Sequence, residues 1–290
     1  FLAADALGVS SVPFCNKQPD EILIHNINHS GIVLLFADSK SLDQIKRIES
    51  HLDRPPRIVL TEGQGDGVES FFDLIRLGAG QSPPDVDVSS EDESKVIYTS
   101  GSSGLPKGVV QTHGNIVSNV KSVWDVIALK DDLILFKSAP DYHTLGILNI
   151  YYPLAKGWSL DMARSPDRVL SDIRLSEPEG FLTVPLVLDK VYGNVRKEIE
   201  AGGTRGKLIG RAVRAKQKIA RGKGSIADWL VYGSVGKKVV NQIKEKLATR
   251  VGGRLQVLVV GAAKADPEAL DFFQDVLDIT AFEGYGTTEC

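Results

Sequence analysis

Tyr98-Thr99-Ser100-Gly101-Ser102-Ser103-Gly104-Leu105-Pro106-Lys107-Gly108 is the stretch on which the reading of this chain turns. It follows the apolar pair Val96 and Ile97, and it combines hydroxyls at 99, 100, 102 and 103 with glycines at 101, 104 and 108. Glycine lets backbone N–H groups turn toward an anion with no Cβ in the way, hydroxyls add donors, and Lys107 adds a mobile point charge. Taken alone, the stretch reads equally well as a polar hairpin turn. It is not a Walker loop, because Lys107 is followed by Gly108 and the glycine spacing does not fit Gly-x-x-x-x-Gly-Lys-Ser/Thr.

Upstream, segments of helical and strand character alternate. Ala3 to Gly8 ends a helix at glycine, and Ser11 to Phe14 reads as a short strand. Pro19-Asp20-Glu21 opens a helix with acidic charge in its first turn, and Ser30-Gly31 stops it. Strands at 32–37 and 57–60 flank a helix at 42–51, an alternation that predicts a parallel sheet with crossover helices. His25 and His29 stand at i and i+4, a spacing that can hold a metal. No glutamate follows the first and no third ligand lies nearby, so they read as solvated or capping. Residues 63–93, rich in Gly, Asp, Ser and Pro, read as a surface loop with one short helix at 70–77. A strand at 95–99 then delivers the chain to the glycine loop.

Downstream, Val109 and Val110 read as a strand, Asn115 as the cap of a helix over 116–127, and residues 133–139 as a strand ending at Pro140-Asp141-Tyr142-His143-Thr144-Leu145-Gly146. Helix 147–154, strand 158–162 and strand 181–185 continue the alternation. Residues 190–224 carry eleven cations against Glu198 and Glu200, a local charge of +9 in a chain that totals −3. Three readings stay open for this segment: a solvated helix face, peripheral attachment to anionic lipid, and RNA binding, the last weakened by the lack of interleaved aromatics. After a helix at 235–250 and a buried strand at 255–260 come Gly261-Ala262-Ala263 and Asp266-Pro267-Glu268, the latter a helix start. The chain finishes Phe282-Glu283-Gly284-Tyr285-Gly286-Thr287-Thr288-Glu289-Cys290.

The 290 residues, 42% of them apolar, are ample for buried cores, and the small net charge sets up no global field to recruit nucleic acid. Two distant cysteines, Cys15 and Cys290, form neither a disulfide framework nor a zinc ribbon, which fits a reducing, cytoplasmic setting. No apolar run approaches the roughly 18 residues of a spanning helix. The first residues read like a helix cut open, and we expect a fragment.

Residues 98–108 resemble the signature Tyr-Thr-Ser-Gly-Ser/Thr-Thr-Gly-x-Pro-Lys-Gly of the adenylate-forming (AMP-binding) superfamily, with one hydroxyl-preserving exchange at Ser103. Glu283 to Glu289 resembles its Glu-Gly-Tyr-Gly-x-Thr-Glu motif, and 261–263 its Gly-Gly/Ala-Ala turn. The long helical stretch at 186–250 is most similar to that of long-chain fatty acyl-CoA synthetases.

The resemblance implies an α/β, acetyl-CoA-synthetase-like adenylating fold of two flavodoxin-like subdomains with parallel sheets, incomplete at both ends. Residues 1–93 would be part of the first subdomain and 94–290 the AMP-binding core, with the small C-terminal domain absent. It further implies ATP-dependent activation of a fatty acid to acyl-AMP and transfer to coenzyme A. Alternatives are an acyl-AMP ligase that loads a carrier protein and a noncatalytic nucleotide- or lipid-binding module.

By the same resemblance Thr99, Ser100, Gly101, Ser102, Ser103, Gly104 and Lys107 would cradle phosphates. Gly261, Ala262, Ala263, Glu283, Gly284, Tyr285, Gly286, Thr287 and Thr288 would seat AMP, with Tyr285 stacked on adenine. His143 and Gly284 would border the acyl group, and Glu289 with Thr99 would hold Mg²⁺. Lys107, Thr288 and Glu289 would be the catalytic set. Asp141 departs from the family's usual apolar residue. Implied partners are a fatty acid and CoA; no nucleic acid is expected, and peripheral contact of 190–224 with an anionic membrane stays one of the open readings of its charge.

Overall fold

The computed structural model describes every residue except 64, 66, 101–103 and 127–131, and only the backbone at 124–126 and 187. The chain divides into two compact units, residues 1–123 with Glu289 and residues 124–288 with Cys290, where the sequence reading set its boundary at 93/94.

In the first unit, helices α1 (Leu2–Ala6), α2 (Asp20–Ser30), α3 (Leu42–Ile48) and α4 (Phe71–Gly78) accompany strands β1 (Leu34–Ala37), β2 (Arg57–Leu60) and β3 (Glu69–Ser70). These strands pair in parallel in the order β1-β2-β3. Helix α2 starts on Asp20 and Glu21 and stops at Gly31, whose left-handed φ of 62° lets its N–H return to the Ile27 carbonyl. Its buried residues Leu23 and Ile27 pack on Ile48 and Leu52, while Ala37, Leu42, Ile45 and Leu60 form a second cluster.

Strands β4 (Glu93–Thr99) and β5 (Lys107–Thr112) form a separate antiparallel pair. Residues 100–106 therefore join the two strands of a hairpin, an arrangement compatible with a phosphate-binding loop. Strand β4 carries Lys95, fully buried, with its ammonium 2.6 Å from Asp5 Oδ1 and 3.0 Å from Ser94 Oγ. Burial pushes the Lys95 pKa down and the Asp5 carboxylate opposes the shift.

Two local expectations are corrected here. Residues 11–14 form no strand but a single parallel bridge from Ser11 to Lys95, because Pro13 has no N–H to continue the ladder. Helix α5 (His113–Val126) begins earlier than expected and is capped by Thr112. Thr112 Oγ1 accepts from the Asn115 N–H at 3.2 Å and Asn115 Oδ1 accepts from the Thr112 N–H at 3.0 Å, so Asn115 is the reciprocal partner of the cap.

The second unit is a five-stranded parallel sheet in the order β10-β9-β8-β6-β7. Its strands are β6 (Ile134–Lys137), β7 (Ser159–Met162), β8 (Gly180–Thr183), β9 (Val257–Val260) and β10 (Thr280–Glu283). Parallel pairing demands crossovers. These are α6 (Thr144–Lys156), then α7 (Val169–Ser176), then α8 (Pro185–Glu200), α9 (Gly203–Ala220), α10 (Ile226–Val231) and α11 (Lys237–Val251), and finally α12 (Pro267–Asp271). Phe136, Phe181, Leu258 and Val260 meet Leu188, Ile209, Val240 and Phe272 in the main core.

The basic segment is less positive in space than in sequence. Arg221 pairs with Asp271 and Asp275 at 2.6 Å, Lys216 with Asp278 at 2.7 Å, and Lys218 with Asp228 at 3.5 Å. Among the described residues no helix is long and apolar enough to cross a membrane.

Candidate active site

In the first unit the hairpin closes with Thr99 opposite Lys107 and Tyr98 opposite Gly108. Gly101, Ser102 and Ser103 lie outside the described residues. Thr99 is half-buried and Ser100 exposed. Gly104 adopts φ 127° with open space around it, a conformation that side-chain-bearing residues rarely adopt. Lys107 is exposed, and among the described residues no acid pairs with it. Gly108 leaves room for its neighbours: a Cβ there would stand 2.9 Å from Val96 Cγ1 and 3.4 Å from Tyr98 Cζ.

The sequence reading missed what holds this loop. His25 Nε2 lies 3.0 Å from the Pro106 carbonyl oxygen, and His29 Nδ1 lies 2.8 Å from the Tyr98 hydroxyl. The histidines that read as solvated or capping thus bond to residues on the two sides of the loop. Only the i, i+4 spacing hinted at a shared role.

In the second unit the parallel sheet has a topological switch point. The chain runs from β6 outward to β7 and then returns to the other side of β6 at β8, so the segments leaving β6 and β8 diverge. Open α/β sheets bind ligands outside the carboxyl ends of strands at such a switch point. Past β9 and β10 the ladder continues by one residue on each strand. The Gly261 N–H donates to the Thr183 carbonyl at 3.0 Å, and the Gly284 N–H to the Val260 carbonyl at 2.7 Å. Gly261 and Gly284 are thereby set side by side, a Cβ on the former falling 3.6 Å from the carbonyl of the latter.

Ala262 then takes a left-handed φ of 68°, and Ala262 and Ala263 face outward. Glu283 is occupied structurally, because Oε1 accepts the Ala265 N–H at 2.8 Å and closes this turn. Asp266 caps α12 through the Glu268 N–H at 2.9 Å, as its Asp-Pro start predicts. Tyr285 follows Gly284 with 95% of its surface exposed. Gly286 and Thr287 are also exposed, and Thr287 Oγ1 lies 3.2 Å from Cys290 Sγ. Thr288 is half-buried; Glu289 is exposed and has no ion pair among the described residues.

At the head of α6, His143 is exposed and its ring lies against Tyr142 at 4.7 Å between centroids. Gly146 permits the turn before it, since a Cβ would fall 2.0 Å from the Pro140 carbonyl oxygen. The departure at Asp141 has a local cause. Lys137, only 7% exposed at the end of β6, pairs with it at 2.7 Å and donates to the Ala139 carbonyl at 2.8 Å. Three further polar groups in this unit were not singled out from sequence. Among the described residues, Thr144 Oγ1, Thr183 Oγ1 and both amide atoms of Asn149 find no hydrogen-bond partner in their buried positions.

The AMP-binding enzyme family matches residues 1–290. The chain belongs to that family. Among its curated relatives, the peroxisomal long chain acyl-CoA synthetase 6 of Arabidopsis thaliana is 26% identical over 304 residues, 99% of this chain and 42% of the relative. The long-chain-fatty-acid–CoA ligase 6 of Mus musculus is 30% identical over 301 residues, 99% of this chain and 41% of the relative. The AMP-binding chain thus spans about two fifths of the length of these relatives.

Its fold is that of adenylation domains. The adenylation domain of the carboxylate reductase from Mycobacterium chelonae superposes with a TM-score of 0.74 at 20% identity, covering 99% of this chain and 44% of the other. The A domain of carboxylic acid reductase from Segniliparus rugosus, in complex with AMP and a co-purified carboxylic acid, gives 0.70 at 20% identity, covering 99% and 46%.

Proposed function

We propose that this chain supplies the nucleotide- and acid-binding residues of a ligase that activates a long-chain fatty acid with ATP and passes the acyl group to coenzyme A. A carboxylate is a poor acyl donor because its oxygen does not leave. Attack of that carboxylate on the α-phosphorus of ATP expels pyrophosphate and leaves an acyl-AMP, from which a thiol displaces AMP. Such chemistry asks a protein for positioning and charge neutralisation more than for a nucleophile.

The residues present are of that kind. Lys107, exposed and with no acidic partner among the described residues, would meet the charge on the phosphates, with Thr99, Ser100 and the loop glycines donating to them. The flat shelf at Gly261 and Gly284 would take the adenine ring, Tyr285 would cover it, and Thr288 would donate to the α-phosphate. His143, at the head of α6 after β6, would border the acid with Gly284.

Magnesium fits the donors on hand. Among the described residues no group of three or more His, Cys, Asp or Glu side chains is placed to hold a metal ion. Mg²⁺ needs no such cage, because it binds through one or two carboxylates together with substrate phosphates and water. The unpaired Glu289 carboxylate and the Thr99 hydroxyl are hard oxygens of that type, and the ion would neutralise phosphate charge.

The observation that carries this reading is Tyr285, whose ring stands 95% exposed directly after Gly284. An aromatic ring left open beside bare backbone has a free face on which a flat base can stack. The test is ATP–pyrophosphate exchange by the natural full-length protein with Mg²⁺ and fatty acids of graded length. Exchange with long acids that is lost in Glu289→Ala supports the ligase. Folded protein that exchanges with no acid removes it, and thioester formation with CoA rather than with a carrier protein settles the acceptor.

A further inference from the structure

Helix α2 meets the candidate phosphate loop at two places that no motif marks. His25 and His29, one helical turn apart, stack with ring centroids 5.4 Å apart and an interplanar angle of 29°. Each bonds to a different side of the loop: His29 Nδ1 to the Tyr98 hydroxyl at 2.8 Å, and His25 Nε2 to the Pro106 carbonyl at 3.0 Å. A carbonyl only accepts, so Nε2 of His25 carries the proton. That carbonyl belongs to the peptide bond joining Pro106 to Lys107, and fixing it fixes the backbone from which the Lys107 side chain leaves. Proline offers no N–H of its own to anchor this position.

On the other side Tyr98 is boxed in. Its ring meets His25 and His29 edge-on at 6.4 and 5.8 Å and Phe14 at 6.2 Å, and it lies over Gly108, where a Cβ would come within 3.4 Å of its Cζ. Its hydroxyl also donates to the Asn26 carbonyl at 3.2 Å, which ties the first residue of the loop to the backbone of α2. Burial pushes the Tyr98 pKa up, so the hydroxyl keeps its proton for this work.

We infer that His25 and His29 are positioning residues that hold Tyr98 and the Pro106–Lys107 peptide where Lys107 can meet a polyphosphate. The assignment rests on the nucleotide reading above and adds to it the device that preorganises the loop. Residues already held in place lose less conformational freedom on binding, so removing the holding groups weakens affinity for the phosphates and not for the acid. A net hydrogen bond is worth about 1 kcal/mol, so each imidazole contributes roughly 5-fold and the pair roughly 30-fold to ATP affinity.

The test measures KM for ATP and KM for the acid separately in pyrophosphate exchange by the full-length protein. Variants are His25→Ala, His29→Ala, the double variant, His25→Gln, Tyr98→Phe, and His51→Ala as a control outside the loop. The expected result is a KM for ATP raised about 5-fold in each single alanine variant and roughly 30-fold in the double, with KM for the acid unchanged. His25→Gln, whose amide can still donate to Pro106, restores most of the loss. Tyr98→Phe keeps the ring and reproduces His29→Ala, which guards against a misfolded histidine variant.

An unmoved KM for ATP, or equal rises in both KM values with a lowered Tm, overturns the positioning role while leaving the ligase intact. A wild-type protein without exchange removes the ligase reading and the positioning role together.

Discussion

At the glycine loop of the first unit, side chains hold the two flanks: one imidazole bonds to the Pro106 carbonyl, another to the Tyr98 phenol, and Lys107 stands exposed beside them. At the strand ends of the second unit, backbone holds backbone. Gly261 and Gly284 are pinned by ladder hydrogen bonds, Ala262 sits in a left-handed turn, and Gly146 lies under the Pro140 carbonyl. The difference follows from the ligand each place is read to serve. A polyphosphate carries charge that a flexible cation can follow, whereas a flat ring needs a surface with no side chains standing on it. Truncation should therefore hurt rate without fold at the loop, and enlargement should hurt fold at the strand ends.

The largest effect tests the first half of that contrast. Lys107→Ala removes an exposed ammonium that makes no ion pair among the described residues, so its Tm should stay at the wild-type value. Adenylation should nevertheless fall by about 10²- to 10³-fold, the usual loss when one charge-stabilising group is removed. A large drop in Tm would mean that Lys107 supports the hairpin and would blur the comparison.

Gly146→Ala tests the other half. Its new methyl would stand 2.0 Å from a backbone oxygen that cannot swing aside as a side-chain tip could. Forcing a methyl into such a site costs about 3 kcal/mol, the upper part of the range for overpacking. Urea denaturation should show that loss as a lower midpoint, and an unchanged midpoint would show that the turn before α6 yields easily.

Acid should act on both units alike. The Arg47 guanidinium, helped by Gln44, holds Asp20 down to about 2 in the first unit, and Arg164 does the same for Asp172, to about 2, in the second. Both carboxylates have folded pKa values below their unfolded ones, so their stabilisation is complete above about pH 4 and is lost as pH falls toward 2. Arg47 and Arg164 face water, which keeps the effect modest. Tm measured between those pH values should fall less steeply in Asp20→Asn and in Asp172→Asn than in wild type. A slope unchanged in one of them would locate the acid-sensitive step in the other unit.

Local signals in the sequence were enough for much of this architecture. The helix over 20–30 with its stop at Gly31, the strand at 57–60, the Asp266-Pro267 start and the run of parallel strands after 133 all follow from propensity, capping and spacing. What escaped depends on residues far apart along the chain. His25 is 81 positions from Pro106 and His29 is 69 from Tyr98, so no window of sequence contains either bond. The charge of the basic segment was overstated for the same reason, because Asp271, Asp275 and Asp278, which neutralise part of it, follow some 50 residues later. Pro13 is the opposite case, a local signal that outweighed the apolar run around it.

The smallest effect bears on whether the shelf at the second unit is backbone alone. Ala262 at φ 68° is held in a conformation that costs an L-residue about 1–2 kcal/mol. Glycine would relieve that strain, but it would also add freedom to the unfolded chain worth about 0.4–1 kcal/mol. The two partly offset each other, so Ala262→Gly should raise stability by about 0–1.6 kcal/mol, read from urea midpoints. Affinity for AMP carries the decision. If it falls a few-fold while stability holds, the exposed methyl of Ala262 is part of the surface that receives the ring, and strain is tolerated there to keep it. If affinity is unchanged, the shelf consists of the Gly261 and Gly284 backbone, and the contrast with the side-chain-held loop of the first unit is complete.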